Sequence, residues 1–221
     1  MPTYNQAQFL PEALESVLSQ DYSGLCVVND GSTDGTADYL REHDGDFWVI
    51  EPPANEGCAA AINRGIASFS ADTDAFTWVS SDNVMYPDWL ATLSAALKPG
   101  VGAVYSAFDM SGEKPGKKIT VRQGAYDRAR LISSENCYFG PSFLIRREVW
   151  EAAGPHRGRA SHDYDHWARV EEACWARGLS IGYVDRPLCF YRVHPAQTVK
   201  VRPDLYDADA WRAEALRRRA T

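Results

Sequence analysis

No stretch of the 221-residue sequence keeps about 18 apolar residues together, so no membrane-crossing helix is expected. No charged segment followed by an apolar one opens the chain, so no signal peptide is expected and the location reads as cytoplasmic. The five cysteines (Cys26, Cys58, Cys137, Cys174, Cys189) are scattered, odd in number and form no CxxC pair. Free thiols in a reducing compartment are therefore expected, rather than disulfides or a zinc site. Positive charge is short as well: 23 Lys and Arg against 30 Asp and Glu give a net charge of −7. That argues against nucleic acid as a partner, and an anionic substrate would then need a metal ion or backbone donors. There is no G-x-x-x-x-G-K-[ST], G-x-G-x-x-G, G-x-S-x-G or H-E-x-x-H. P-loop NTPases, nicotinamide enzymes, α/β-hydrolases and common metalloproteases are disfavoured accordingly.

What is present suits a globular chain with a large core: 45% hydrophobic residues, including seven Trp, eight Phe and eleven Tyr. Short apolar runs at 25–28, 47–50 and 75–79 read as strands, each ending in turn residues. Between them, Phe9, Leu10, Leu14, Val17 and Leu18 share a helical face with Pro11 in the first turn. Ser32 or Thr33 is expected to cap a helix through Leu40, and helices are expected over 59–69 and 87–97. Strand–helix alternation implies parallel βαβ units, whose ligands bind beyond the carboxyl ends of the strands. Later strands are expected over 101–108, 117–121 and 142–145, a helix over 165–177, an extended segment over 181–193, and a basic helix over 207–219.

Three clusters could carry chemistry. Asn29-Asp30 ends the first apolar run, and a carboxylate there can accept hydrogen bonds from a base or ribose or belong to a simple capped turn. Ser80-Ser81-Asp82-Asn83 ends the third run, where Asp82 suits a hard divalent cation bridging phosphates or is a plain Asp/Asn turn. In His162-Asp163-Tyr164-Asp165-His166 the two histidines could form a metal pair if the stretch is helical throughout. Alternatively Asp163 is a general base just before a helix that Asp165 caps, with the histidines at surface or packing positions. His194, at a strand end, reads on its own as structural.

Taken in order, these segments resemble the inverting GT-A glycosyltransferases of family 2. The resemblance rests on Pro2-Thr3-Tyr4-Asn5, the 9–20 helix, Val27 to Thr36, Asn55-Glu56-Gly57 through Asn63-Arg64-Gly65, and Trp78 to Asn83 with Pro87 and Leu90. It continues through Gly140 to Arg147, Gly154, His162 to Asp165 and Tyr191-Arg192-Val193-His194. It implies an α/β GT-A fold with a mostly parallel central sheet flanked by helices, as one domain. Residues 1–100 would be its nucleotide-binding half, 101–195 its acceptor-binding half and 196–221 a helical tail. The implied donor is a nucleotide-diphosphosugar, UDP-linked, and the acceptor a saccharide or lipid-linked hydroxyl in cell-surface or extracellular polysaccharide synthesis. The resemblance places Pro2, Thr3, Tyr4, Asn5, Asp30, Asn55, Gly57 and Ser81 at the nucleotide, with Thr3, Tyr4 and Asp30 at base and ribose. It places Asp82 and His194 at a Mg²⁺ or Mn²⁺ ion and Asp163 as catalytic base. The basic tail is the expected contact with a membrane surface.

Three departures from that pattern stand out. Ser80 or Ser81 replaces the first carboxylate of the metal motif, and His162 replaces the usual Glu before the base. Only Met1 precedes Pro2, so the opening strand is expected to be missing, leaving an empty slot in the sheet. The rival readings are a nucleotidyltransferase and a degenerate nucleotide-sugar binding module. Pro2 to Gln8 has no Gly, Lys or Arg of a triphosphate loop, and an intact Asp163 argues against the module.

Overall fold

The computed structural model describes residues 1–43, 45–111, 116–133, 139–158, 162–197, 200, 213 and 217, the side chains of 132, 133 and 162 excepted. Cys137 and almost all of the expected 207–219 helix lie outside the described residues. In chain order the elements are β1 (Pro2–Thr3), α1 (Leu10–Leu18), β2 (Cys26–Asn29), α2 (Thr36–Glu42), β3 (Trp48–Ile50), α3 (Cys58–Ala67), β4 (Ala75–Phe76), β5 (Val84–Met85) and α4 (Trp89–Ala96). There follow β6 (Val101–Ser106), β7 (Phe108–Ser111), β8 (Lys118–Val121), α5 (Arg128–Ser133), β9 (Phe143–Arg146), α6 (Arg147–Ala153), α7 (His162–Ala176), β10 (Ser180–Val184) and β11 (Cys189–Tyr191). Among the described residues no helix is long and apolar enough to cross a membrane.

The strands form three small sheets ordered β1-β2-β3, β10-β6-β9-β4 and β5-β11-β7-β8. The first sheet is parallel, as the strand–helix alternation predicts. The second is mixed rather than mostly parallel, because β9 runs antiparallel between β6 and β4. The extended run at 101–108 divides at Ala107: β6 stays in the second sheet, and β7 pairs with β11 and β8 in the third. Two large apolar clusters, with a small third one of Cys26, Val28 and Ala61, fill the interior among the described residues. One joins Leu10, Leu14 and Val17 of α1 to Val27, Trp89 and Leu93. The other is aromatic, built on Phe76, Tyr105, Phe139, Phe143, Trp150 and Trp167. The four cysteines among the described residues are free; Cys26, Cys174 and Cys189 are buried, and burial pushes the Cys174 thiol up to about 12.

Helix α2 begins at Thr36, not after Ser32 or Thr33. Asp34 accepts from the Thr36 N–H at 3.0 Å, while Ser32 and Thr33 turn back to the β1–α1 loop. Burial tends to raise the Asp34 carboxyl, but the hydrogen bonds from Thr36 and Ala7 outweigh it and hold its pKa below the ordinary value.

Pro2–Thr3 forms β1 alongside β2. Val28 N–H donates to the Met1 carbonyl and Asp30 N–H to the Thr3 carbonyl, both at 2.9 Å, so Met1 to Thr3 covers the inner edge of β2. The Met1 ammonium is buried against the Cys26 carbonyl at 2.6 Å. Among the described residues β1 has no strand partner on its other side, and β4 pairs only with β9. Between these two edges lies a cavity of about 610 Å³, lined by Met1, Leu25, Cys26, Ala75, Phe76 and Leu144 among others. An apolar strand of about five to eight residues, a usual strand length, added before Met1 should fill it. We expect the unfolding midpoint in denaturant to rise by at least the equivalent of about 1–3 kcal/mol, the cost of one unpaired buried backbone group. Equal midpoints with and without the added strand would show that the cavity costs nothing.

Candidate active site

Thr3 to Asn5 end and follow β1, Asp30 follows β2, and Ser81 and Asp82 come after β4, at the carboxyl ends where open α/β sheets bind ligands, whereas Asp163 lies on α7. At β2 the Asp30 side chain is 3% exposed and accepts from two consecutive backbone N–H groups, Glu56 at 2.9 Å and Gly57 at 2.8 Å. These amides belong to the two residues just before α3, so the carboxylate fixes the approach to that helix and lies near the positive end of its dipole. Asn55 closes the clamp, its Nδ2 donating to the Asp30 carbonyl at 2.9 Å. Gly31 follows at φ +75°, and a Cβ there would sit 2.8 Å from the Asn55 nitrogen. Only glycine fits that turn against the 54–57 segment.

Thr3 and Asn29 are register partners, both buried, and among the described residues the Thr3 Oγ1 and Asn29 Oδ1 atoms have no hydrogen-bond partner. Two unsatisfied buried oxygens side by side at a strand end are an invitation to donors from a ligand. Asn29 Nδ2 donates to Glu51 at 2.7 Å. Tyr4, 47% exposed, opens the β1–α1 loop with an aromatic face free to stack, and Pro2 beneath it is buried. Asn5 is the one non-glycine with positive φ (51°) among the described residues. Its backbone N–H donates to Ser32 Oγ at 2.9 Å and its Oδ1 accepts from Thr33 N–H at 2.7 Å, which holds the loop on the β2–α2 turn.

The far end of the same loop reaches the second cluster. Phe9 lies 4.5 Å from the His194 ring, and His194 Nε2 is 3.0 Å from Asp82 Oδ2, a contact across 112 residues of sequence. The pair expected at a metal ion is thus assembled, with side-chain exposures of 8% and 15%. Ser81, buried, precedes Asp82 without forming a second carboxylate. Among the described residues no three His, Cys, Asp or Glu side chains stand together as a metal cluster. A carboxylate with an imidazole suits Mn²⁺ better than the all-oxygen preference of Mg²⁺, and two donors suffice only if a ligand's phosphates supply the rest.

Helix α7 begins at His162, so Asp163 sits inside its first turn, half-buried, rather than just before it. Asp165 is no cap. It is 1% exposed and pairs with Arg169 at 2.8 Å, while Arg169 also donates to the Gly154 and Pro155 carbonyls at the end of α6. The stretch is helical, but His166 turns into the core, its ring stacked 3.8 Å from that of His156. Sequence reasoning missed Phe9, Glu12 and Arg192, which surround the Asp82–His194 pair; Arg192 stood in the Tyr191 to His194 segment and was the available signal.

The Asp30 turn and the Asp82–His194 contact are thus both carried on an α/β scaffold. A model of glycosyl transferase family 2 matches residues 1–154, and the chain belongs to that family. An uncharacterized glycosyltransferase of Rickettsia typhi is 28% identical over 211 residues, covering 90% of this chain and 64% of that protein. One from Haemophilus influenzae is 31% identical over 218 residues, covering 90% and 65%. The chain therefore spans less than two thirds of these relatives. Among solved structures, Staphylococcus aureus TarS with UDP-GlcNAc superposes at TM-score 0.75, 15% identical, covering 97% of this chain and 64% of that one. The mannosyltransferase PcManGT of Pyrobaculum calidifontis, in complex with GDP-Man and Mn²⁺, superposes at 0.69 and 21% identity, covering 98% and 62%. The fold is that of the GT-A glycosyltransferases.

Asp30→Asn keeps the shape but faces an NH₂ group toward one of the two amides. We expect a loss of about 1–3 kcal/mol in chemical denaturation without any ligand, from one buried N–H left unpaired. An unchanged midpoint would mean that the clamp does not hold α3.

Proposed function

We propose that this chain transfers a sugar from a nucleotide-diphosphosugar, UDP-linked, to an acceptor hydroxyl with inversion at the anomeric carbon. The observation that carries the reading is the Asp82–His194 contact at 3.0 Å, joined through Phe9 to the loop that also holds the Asp30 turn. UDP is bound by TarS and GDP-Man with Mn²⁺ by PcManGT, which supports a nucleotide-sugar donor here.

Tyr4 would stack on the base, with Thr3 Oγ1 and Asn29 Oδ1 accepting from donors of the base or ribose. Asp30, both oxygens engaged by backbone amides, contributes by fixing the 55–57 loop beside them and by any lone pair that remains. Asp82 and His194 would hold a divalent ion on the diphosphate. The ion, when bound, neutralises the charge that develops on the leaving group. Asp163 accepts the proton of the acceptor hydroxyl as it attacks in line. Its place in the first turn of α7, anchored on α6 by the Asp165–Arg169 pair, keeps that carboxylate oriented. A role in cell-surface or extracellular polysaccharide synthesis belongs to this proposal. The basic tail proposed to touch a membrane surface lies almost wholly outside the described residues.

Two outcomes follow. Asp163→Asn should lower turnover by about 10²–10⁴-fold, the contribution of a positioned base, with donor affinity barely changed. Wild-type turnover would remove Asp163 from the mechanism, and donor binding without turnover by the unaltered protein, across many acceptors, would favour a binding module. In calorimetry, Mn²⁺ should bind tightly only when UDP is present, and Asp82→Ala should abolish that binding. Equal binding by both proteins would refute the assignment of Asp82, and its loss in His162→Ala or His166→Ala would move the metal to the other cluster.

A further inference from the structure

We propose that Arg192 is a positioning residue for the Asp82–His194 pair, set behind it and tying it to α1; its consequence for metal binding rests on the function proposed above.

Arg192 is contacted by six residues from four parts of the chain. Its Nε donates to the Asp82 carbonyl at 3.0 Å. Its backbone N–H donates to Asn83 Oδ1 at 3.1 Å, so both residues of the turn after β4 are gripped by one residue. Its Nη2 donates to Glu12 of α1 at 2.5 Å. Its guanidinium lies 5.1 Å from the Phe9 ring centre and 5.8 Å from that of Phe190. Its carbonyl accepts from Gln197 Nε2 at 2.9 Å, and Gln197 Oε1 in turn accepts from the His194 N–H at 3.3 Å.

His194 is therefore placed by partners that Arg192 itself holds. Its ring touches Phe9, its backbone is held through Gln197, and its Nε2 meets the Asp82 side chain whose carbonyl Arg192 binds. A two-donor site has no third protein ligand to enforce its geometry, so the geometry has to come from the residues around it. Stability alone does not explain the arrangement. The Glu12 side chain is 64% exposed, and exposed ion pairs contribute little. Lysine could not replace the residue, since the contacts need a planar fork that donates in two directions while stacking on an aromatic ring.

The test is Arg192→Lys, with Glu12→Gln as a milder second variant at an exposed position. The readout is the imidazole ¹H–¹⁵N spectrum of ligand-free protein, with His194 assigned by loss of its signals in His194→Asn. In the wild type, one hydrogen-bonded ring species is expected. In Arg192→Lys the His194 signals should shift and broaden, and in Glu12→Gln they should move the same way by less. Mn²⁺ affinity measured with UDP should fall about 10–100-fold in Arg192→Lys, as for other residues that orient metal ligands, while UDP affinity without metal stays within twofold. His194 signals unchanged in Arg192→Lys would overturn the proposal. Should that variant fail to fold, unchanged signals in Glu12→Gln would overturn it instead. A displaced His194 in a protein whose wild type binds no Mn²⁺ with UDP would uphold the positioning role and refute the proposed metal.

Discussion

One buried carboxylate governs how this half of the molecule is put together. Asp30 leaves β2 with 3% exposure and meets the amides of Glu56 and Gly57, the two residues that lead into α3. A charge so far from water is tolerable only if it is fully hydrogen-bonded, and backbone amides need acceptors in turn. Each requirement answers the other. The loop 54–57 must then pass close enough to the β2 turn that residue 31 can carry no side chain.

From α3 the same placement spreads toward the proposed base. Asn63, two turns along α3, bonds both ways with the backbone of His156, at 2.9 Å each. His156 follows the end of α6, where Arg169 of α7 collects carbonyl groups while pairing with Asp165. Polar contacts thus run from the Asp30 clamp through α3 and the end of α6 to α7, whose first turn carries Asp163. The aromatic cluster of Phe143, Trp150 and Trp167 packs beneath and gives the series a stiff base.

Local chemistry made much of this legible in the sequence. The apolar face of α1, the strand before Asn29 and the glycine after Asp30 are local patterns, and they sit where period and turn chemistry place them. What escaped is non-local. Nothing in Ser32 or Thr33 announces that Asn5 will claim them in place of α2. The break at Ala107 and the reversal of β9 depend on which sheets have open edges, which no window of sequence contains. The resemblance put Asp82 and His194 at one ion. The contact itself spans 112 residues, and the surrounding Phe9, Glu12 and Arg192 show only once the chain is folded.

The gap between β1 and β4 has a mechanical meaning for a ligand. Thr3, Tyr4 and Asp30 stand on one bank of it, and the turn carrying Asp82 leaves the other. Among the described residues no ladder of backbone hydrogen bonds crosses between the banks, and side-chain packing and the connecting loops hold them in register. A molecule with its base on the first bank and its phosphates on the second would act as a strut. Its binding would stiffen the scaffold across the very seam where a continuous sheet would have been rigid already.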